Sequence, residues 1–360
     1  MPENVYHKLA QRLDTIPNGF SPTKSGVELR LLAKIFTPAE AALASVMRLT
    51  LEPAADIATR AGENPDEVYR TLKKMTRQGQ IQADKRDGQL VFGLMPFVVG
   101  IYEEQLSRID AELADLFEQY YQETGGGAIT HDAPAIHRVI PVEESIPVDI
   151  EIFPYERASE LLAGAKSWGV RDCICRVQQQ LIGKGCERPV ENCLVFAPVE
   201  NAFTPNGVNR AITKEEAFRI LREAEEAGLV HSTGNFRHEH SYICNCCPCC
   251  CGVIRSVAEF GISTAVARSD FHATVDAEVC SGCGDCLDRC HFNALSIPED
   301  VCMVDATNCA GCGLCATVCA TGALHLERRA EGDVPQPPAD LKAWMVQRAE
   351  ERNISISDIL

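Results

Sequence analysis

The sequence predicts an α+β multidomain protein, on two observations. Cysteine is absent from the first 172 residues and occurs nineteen times after them, so the chain has at least two chemically different parts. The first part shows helical patterns and a hairpin, whereas the second repeats a tight cysteine pattern after 29 residues. A chain of 360 residues can form two or three cores. The predicted parts are residues 1–100, 101–127, 128–268, 269–328 and 329–360.

Charge and hydropathy narrow the class of protein. The formal net charge of −17 argues against a bulk nucleic-acid binder. No apolar run is long enough to span a membrane, and the first residues show neither a basic start nor an apolar signal core. We therefore expect a cytoplasmic protein without a membrane span. Because the cytosol keeps thiols reduced, its cysteines are expected to be metal or cluster ligands rather than disulfides.

The first hundred residues carry three helical patterns followed by a hairpin. The helices are predicted in "TPAEAALASVMRL", "PAADIATRAG" and "NPDEVYRTLKKMTRQG", and the hairpin turns at Asp87–Gly88. This order resembles the winged helix-turn-helix family over residues 25–95. The resemblance implies DNA binding as one alternative, and a protein-interaction or dimerisation role is favoured over it. The basic residues that phosphate binding would use are Arg70, Lys73, Lys74, Arg77, Lys85 and Arg86.

A long amphipathic helix is predicted in the next segment, "YEEQLSRIDAELADLFEQYYQETGGG". Its apolar stripe comprises Leu106, Ile109, Leu113 and Leu116. Such a stripe usually packs in a core or forms a homodimer. The glycines at 125–127 indicate a linker. At the other end of the chain, a proline-rich link precedes a short charged helix near residues 339–352.

The most specific pattern is C-x2-C-x2-C-x3-C, which occurs twice near the end of the chain. The first copy contains Cys280, Cys283, Cys286 and Cys290, and the second contains Cys309, Cys312, Cys315 and Cys319. In this spacing the fourth cysteine of each copy binds the cluster of the other copy. One [4Fe–4S] cluster is therefore expected on Cys280, Cys283, Cys286 and Cys319, and the other on Cys309, Cys312, Cys315 and Cys290. A pair of zinc sites is the weaker alternative.

Residues 272–327 accordingly resemble bacterial-type 2[4Fe–4S] ferredoxins, which implies a ferredoxin-like fold. The chain departs from the family where proline normally follows the fourth cysteine, since His291 and Ala320 stand there. A histidine beside a cluster can make its potential depend on pH, although a solvated surface histidine is the favoured interpretation. Cys302 lies between the two copies and is predicted to be a buried core thiol on a strand.

Ten further cysteines lie in the middle segment, in two groups separated by a predicted helix. The groups are Cys173, Cys175, Cys186 and Cys193, and then Cys244, Cys246, Cys247, Cys249, Cys250 and Cys251. If the second group is extended, one side carries residues 247, 249 and 251, and the other carries 244, 246 and 250. If the chain turns there, thiols three or four residues apart converge instead. Ten thiols suffice for one cluster with spare ligands or for two clusters.

An additional [4Fe–4S] cluster is the favoured interpretation of these ten cysteines, ahead of a zinc site and a dithiol switch. The nearby residues His231, His238 and His240 are expected to make ordinary hydrogen bonds or lie at the surface. The Cys-x-Cys-Arg and Cys-Cys-x-Cys-Cys-Cys patterns resemble a family of 4Fe–4S dicluster proteins of anaerobic bacteria and archaea. The resemblance includes "PFVVGIYE" and "RVIPVEESIP". It implies iron–sulfur binding and redox work without indicating a substrate.

Two functions follow as hypotheses. In the first, the chain transfers single electrons to or from a partner oxidoreductase, as a subunit rather than a stand-alone enzyme. In the second, it is a redox- or iron-sensing regulator that binds DNA through the winged helix. No dinucleotide-binding loop or Walker motif is visible in the sequence. The first hypothesis is favoured, because one cluster would suffice for a sensor.

Overall fold

The computed structural model describes residues 4–126, 130–148, 150–205 and 208–356. Two compact units divide the chain. The first comprises residues 1–133, 181–183 and 345–360, and the second comprises 134–180 and 184–344. The predicted boundary between residues 268 and 269 lies inside the second unit. Three ends of the predicted parts lie outside the described residues. They are the end of the linker at residue 127, the start of the middle segment at residue 128 and the end of the last part at residue 360.

The first unit is mainly helical, and its helices begin where the sequence supplies capping side chains. Thr37 and Glu40 form a capping box, in which the Thr37 backbone N–H donates to Glu40 at 2.9 Å. Asn64 accepts from the Asp66 backbone N–H at 3.0 Å. The helices are α1 (Val5–Asp14), α2 (Val27–Ile35), α3 (Pro38–Ala44), α4 (Ala54–Ala61), α5 (Pro65–Arg77) and α6 (Ala111–Glu123). The first two follow Asn4 and Gly26 and were not predicted.

A three-stranded sheet completes this unit. Strands β1 (Glu52–Pro53), β2 (Ile81–Arg86) and β3 (Gln89–Leu94) are arranged in the order β1-β3-β2. The hairpin between β2 and β3 turns at Asp87 and Gly88, both with positive φ, as the sequence predicts. In α5, Lys74 forms an ion pair with the buried carboxylate of Glu40 at 2.8 Å. One of the predicted phosphate-binding cations therefore has an internal partner.

The predicted long amphipathic helix is wrong in its first half. Helix α6 begins only after Asp110, whose carboxylate accepts from the Leu113 backbone N–H at 2.9 Å. A side chain that caps a helix in this way starts the helix at its own position. A short 3-10 turn at Glu103–Gln105 stands where the prediction placed continuous helix.

The second unit is built on a seven-stranded sheet in the order β10-β4-β8-β9-β6-β5-β7. Only β10 and β4 pair in parallel among these strands of the described chain. The strands are β4 (His137–Ile140), β5 (Ser167–Asp172), β6 (Glu191–Ala197), β7 (Arg210–Ile212), β8 (Val230–Gly234), β9 (Tyr242–Cys246) and β10 (Val266–Ala267). Among the described residues, the helices around this sheet and in the segment after it are α7 (Ala158–Ala163), α8 (Ile174–Leu181), α9 (Lys214–Glu226), α10 (Gly252–Phe260) and α11 (Asp285–Arg289).

Two small antiparallel sheets follow in the region of the repeated cysteine pattern. They pair β11 (Phe271–Val275) with β14 (Leu324–Arg328), and β12 (Leu295–Glu299) with β13 (Val301–Val304). A buried ion pair between Arg138 of β4 and Asp270, at 2.6 Å, attaches this region to the large sheet. The Val142 backbone N–H also donates to the Cys312 carbonyl at 2.9 Å. The last helix, α12, spans Leu341–Glu351.

Candidate metal centres

Two cavities lie in the region of the repeated pattern, and each is lined by four of its cysteines. The first contains about 330 Å³ of space not filled by protein atoms, part of it open to solvent. The second contains about 320 Å³ on the same measure. The pattern cysteines are Cys290, Cys309, Cys312 and Cys315 in the first, and Cys280, Cys283, Cys286 and Cys319 in the second, which Cys302 also lines. Each cavity thus takes three cysteines from one copy of the pattern and the fourth from the other.

Backbone N–H groups point at the sulfur atoms around both cavities. Ala273 donates to Cys309 at 3.4 Å, and Ala294 donates to Cys290 at 3.3 Å. In the second cavity the donor to Cys280 is the backbone of Cys302, also at 3.4 Å. Such donors stabilise thiolate charge and tune the potential of an iron–sulfur cluster. The thiolate donors and the cavity dimensions fit [4Fe–4S] clusters.

One glycine of the repeated pattern is required because its backbone lies very close to a neighbouring strand. Gly311 has φ of +70°, and a Cβ atom there would collide with the backbone carbonyl of Phe271. Only glycine fits both conditions without strain. The loop that presents Cys309 and Cys312 can therefore lie directly against β11.

Cys302 is buried on β13, as the sequence predicts, with its sulfur 3.7 Å from that of Cys286. His291 corrects the sequence interpretation. It is buried, and its Nε2 lies 2.6 Å from the carbonyl oxygen of Gly228. Burial lowers the pKa of His291 below its ordinary value. No sequence pattern indicates that the chain after the first copy packs against the end of α9.

In the middle segment, four of the ten cysteines converge on one point. They are Cys186, Cys247, Cys249 and Cys250, whose sulfur atoms all lie within 4.8 Å of one another. We call them the four-thiol group. The Cys250 sulfur lies 3.7 Å from that of Cys186 and 3.9 Å from that of Cys249. This group could hold a metal ion.

The size of the four-thiol group matches one ion. Four thiolates bound to a zinc ion at about 2.3 Å have sulfur–sulfur edges of about 3.8 Å. A [4Fe–4S] cluster offers four separate irons, so its ligands must stand further apart. Among the described residues, the cysteines of the two cavities form no group of three within 4.8 Å. The same chain therefore contains thiol sets of two sizes.

Positive charge lies beside the four-thiol group. The Arg188 guanidinium donates to the Cys249 sulfur at 3.5 Å. Hydrogen bonding from Cys250 and the nearby Arg176 lower the pKa of Cys247 to about 4, although burial opposes them. Burial and the Cys247 thiolate raise the pKa of Cys249 to about 11. Cys247 is therefore the member of the group that favours the thiolate form required for ligation, whereas its charge and burial raise the pKa of Cys249 and Cys250.

The other six cysteines of the middle segment interact with one another, and Cys175 among them also packs against the core cluster of the four-thiol group. They are Cys173, Cys175, Cys193, Cys244, Cys246 and Cys251, and all are buried or half-buried. None of the described cysteines forms a disulfide. Each of the two spatial sets therefore contains cysteines from both of the groups defined by sequence.

Of the two arrangements that the sequence leaves open for this run, the extended alternation is wrong at its end, and thiols three residues apart converge as expected for a turn. Cys250 joins Cys247 and Cys249, whereas Cys251 joins the set that contains Cys244 and Cys246. The reason is a turn at Pro248, in which the Cys251 backbone N–H donates to the Cys247 carbonyl at 3.1 Å. Helix α10 begins immediately afterwards, so period-2 alternation stops at the proline.

The three nearby histidines make ordinary contacts or lie exposed. His231 is buried, with Nδ1 at 2.6 Å from Asn245 and Nε2 at 3.1 Å from Glu225. His240 lies 3.1 Å from the Thr233 hydroxyl, and His238 is exposed. The residue that sequence analysis missed is Arg176, which follows Cys175 directly. The Cys-x-Cys-Arg pattern was the signal that could have found it.

Comparison with known proteins identifies one region. Residues 279–323 match the family model of the 4Fe-4S dicluster domain. No curated protein and no solved structure matches the chain. None of the described helices is long and apolar enough to cross a membrane. The dicluster domain and the cysteine groups indicate an iron–sulfur, metal-binding protein, and domains of this kind usually pass electrons to partner proteins.

Proposed function

We propose that this protein transfers single electrons to or from a partner oxidoreductase through two [4Fe–4S] clusters. The observation that carries the proposal is the lining of the two cavities. Each is lined by four cysteines of the repeated pattern, with one contributed by the other copy. When bound, such clusters gain and release one electron each.

The protein residues supply ligation, charge stabilisation and shielding. One cluster would be held by Cys280, Cys283, Cys286 and Cys319, and the other by Cys309, Cys312, Cys315 and Cys290. The N–H groups of Ala273 and Ala294 stabilise negative charge on sulfur. Cys283 is exposed, whereas Cys309 and Cys315 are buried. A partner would therefore exchange electrons at the side of the first copy, where the distance to solvent is shortest.

The four-thiol group is proposed as a further metal centre, and its dimensions favour a single tetrahedral ion, zinc or iron. A [4Fe–4S] cluster, which the sequence favoured in this segment, would require these four thiols to move apart. DNA binding stays a prediction that no observation favours. Homodimer formation and a cytoplasmic location stay predictions as well.

Metal analysis of the full chain, purified without oxygen, tests the proposal. We expect about eight irons and eight sulfides from the two clusters, and an EPR signal after one-electron reduction. The reduced protein should return its electrons to a one-electron acceptor dye. Absence of iron and sulfide from folded protein would contradict the proposal, and so would clusters that accept no electrons.

A further inference from the structure

The six cysteines outside the four-thiol group form a closed ring. The side-chain hydrogen bonding that shifts the pKa of each thiol comes from two of the other five, and following these pairs returns to the first. The order is Cys173, Cys175, Cys251, Cys246, Cys244, Cys193 and again Cys173. We call this set the six-thiol ring. A closed ring of six thiols has no counterpart in ordinary core packing, where cysteine is scattered among other apolar residues.

Four segments of the second unit position the ring. Strands β6 and β9 pair with Leu194 opposite Ile243, so the antiparallel register places Cys193 across from Cys244. Cys173 and Cys175 lie at the start of α8, and Cys251 is the N-cap residue of α10. Backbone N–H groups at a helix start favour negative charge. The ring is thus fixed by sheet pairing on one side and by two helix starts on the other.

The ring is too wide for a single ion. Among the described residues, no three of its sulfur atoms lie within 4.8 Å of one another, in contrast to the four-thiol group. An ion bound to one pair of neighbouring thiols would leave the opposite pair unbound. A centre that uses the whole ring must contain several metal ions. Iron–sulfur clusters normally take four cysteine ligands, and six allow a larger one.

A buried cation supports negative charge at the ring. The guanidinium of Arg176 is fully buried, and it donates to the carbonyls of Pro189 and Asn245 and to the Asn192 side chain at 2.8–3.0 Å. In the part of the chain that the structure describes, it forms no ion pair with a carboxylate. A buried charge without a counter-charge is costly. Thiolates are the anions within reach.

The thiolates that face Arg176 come from both thiol sets. Besides its hydrogen bonds to carbonyl and amide oxygens, the guanidinium faces the thiols of Cys173 and Cys247. Cys173 belongs to the ring and Cys247 to the four-thiol group. One cation thus balances charge on two neighbouring centres.

The ring also shares a core with the dicluster region. Cys246 and Cys251 belong to a hydrophobic cluster with Phe292 and Leu314, and Cys244, Cys290 and Cys312 pack against the same cluster. Cys290 and Cys312 line the first cavity. A redox centre in the ring would thus lie within one packed core of a [4Fe–4S] cluster. This continuity favours iron over redox-inactive zinc.

We propose that the six-thiol ring holds a polynuclear iron–sulfur centre, separate from the four-thiol group and from the two ferredoxin-type clusters. The inference extends the proposed function, because it adds an internal electron donor or acceptor to the chain. It rests on thiol positions and not on the dicluster domain. A zinc–thiolate cluster and a set of redox-switching dithiols are the alternatives that its test must exclude.

The test compares anaerobically purified wild-type protein with two double variants. Cys193→Ala with Cys251→Ala removes opposite members of the ring, and Cys186→Ala with Cys249→Ala removes two members of the four-thiol group. Wild type should contain about twelve or more irons with matching sulfide. The ring variant should fall to about eight irons and keep the EPR signal of the dicluster region. The four-thiol variant should lose a single metal ion.

Each other outcome would overturn the inference. A wild-type content of about eight irons would leave the proposed function standing and remove the ring centre, even if the ring variant fails to fold. Several zinc ions lost with the ring variant would assign a zinc–thiolate cluster instead. Six alkylatable thiols in the folded, metal-loaded wild type, beyond those of the four-thiol group, would assign redox dithiols.

Discussion

The dicluster region and the four-thiol group differ in the spacing of their cysteine sulfur atoms. In the dicluster region, eight cysteines of the repeated pattern and Cys302 line two cavities, and backbone N–H groups donate to sulfur atoms there. In the four-thiol group, four cysteines close on one point, and arginine side chains supply the positive charge. A cavity suits a cluster with internal sulfide, whereas a closed tetrahedron suits a bare ion. Sulfur spacing therefore distinguishes centres that cysteine counting cannot.

The largest expected effect is loss of a whole cluster. Replacing Cys312 by Ala removes one ligand of the first cavity, and we expect about four of the irons and their sulfide to be lost. Iron and sulfide quantification under anaerobic conditions measures the change. Cys302→Ala is the matched control, because this buried thiol lies at the second cavity without being a proposed ligand. Equal iron loss from the two variants would contradict the assigned ligands.

A second prediction concerns the four-thiol group. Cys249→Ala should remove one metal ion, leave the dicluster iron unchanged and lower the free energy of unfolding by about 3–5 kcal/mol, as loss of a structural metal does. Metal analysis and denaturant unfolding under anaerobic conditions measure both effects. If Cys249→Ala instead loses about four irons with sulfide, the group holds a cluster and the comparison fails.

Arg176 offers a way to affect two centres with one substitution. Arg176→Met keeps much of the buried volume but removes the cation between Cys173 and Cys247. We expect metal affinity to fall about 10–100-fold at both the six-thiol ring and the four-thiol group. Competition with a chelator measures affinity. Arg188→Met is the control, since Arg188 donates to Cys249 and should weaken only the four-thiol group.

The smallest effect is a pH dependence of the sheet that carries the thiols. Burial lowers the pKa of His137 on β4 to about 4. The folded state prefers the neutral imidazole, so its contribution is complete above the unfolded pKa of about 6.5 and is lost as pH falls towards 4. His137→Phe should remove on the order of 2 kcal/mol of this acid sensitivity.

Denaturant unfolding of metal-loaded protein at several pH values between about 4 and 7 measures this effect, within the range set by the two pKa values. The exposed His238 provides the control variant His238→Asn. An unchanged pH profile for His137→Phe would assign the acid sensitivity to the thiolates instead.

The sequence predicted local features better than the middle thiol sets. The helix starts at Thr37 and Asn64 and the turn at Asp87–Gly88 depend on neighbouring residues only. The repeated spacing likewise groups four of the cysteines that line each cavity, although it does not indicate Cys302. The division of the ten middle-segment cysteines into two spatial sets depends instead on the pairing of β6 with β9 and on the turn at Pro248. These tertiary facts decide which thiols meet, and cysteine spacing does not encode them.

Local reasoning also failed where one polar side chain changed the path of the chain. Asp110 caps the start of α6, so the helix begins in the middle of an apolar pattern that predicts one continuous helix. His291 is buried because residues far away in sequence, at the end of α9, accept its hydrogen bond. In both cases the sequence pattern around the residue predicts the wrong surroundings for its side chain.

The turn at Pro248 has a consequence for how the protein acquires its metals. Cys246 belongs to the six-thiol ring and Cys247 to the four-thiol group, so a single peptide bond joins the two centres. Metal bound at one centre fixes the chain that the other needs, and we expect the two to fill cooperatively. Stepwise reconstitution of metal-free wild-type protein would show this as tighter metal binding at each centre once the other is filled. Equal affinity at one centre with and without metal at the other would contradict it.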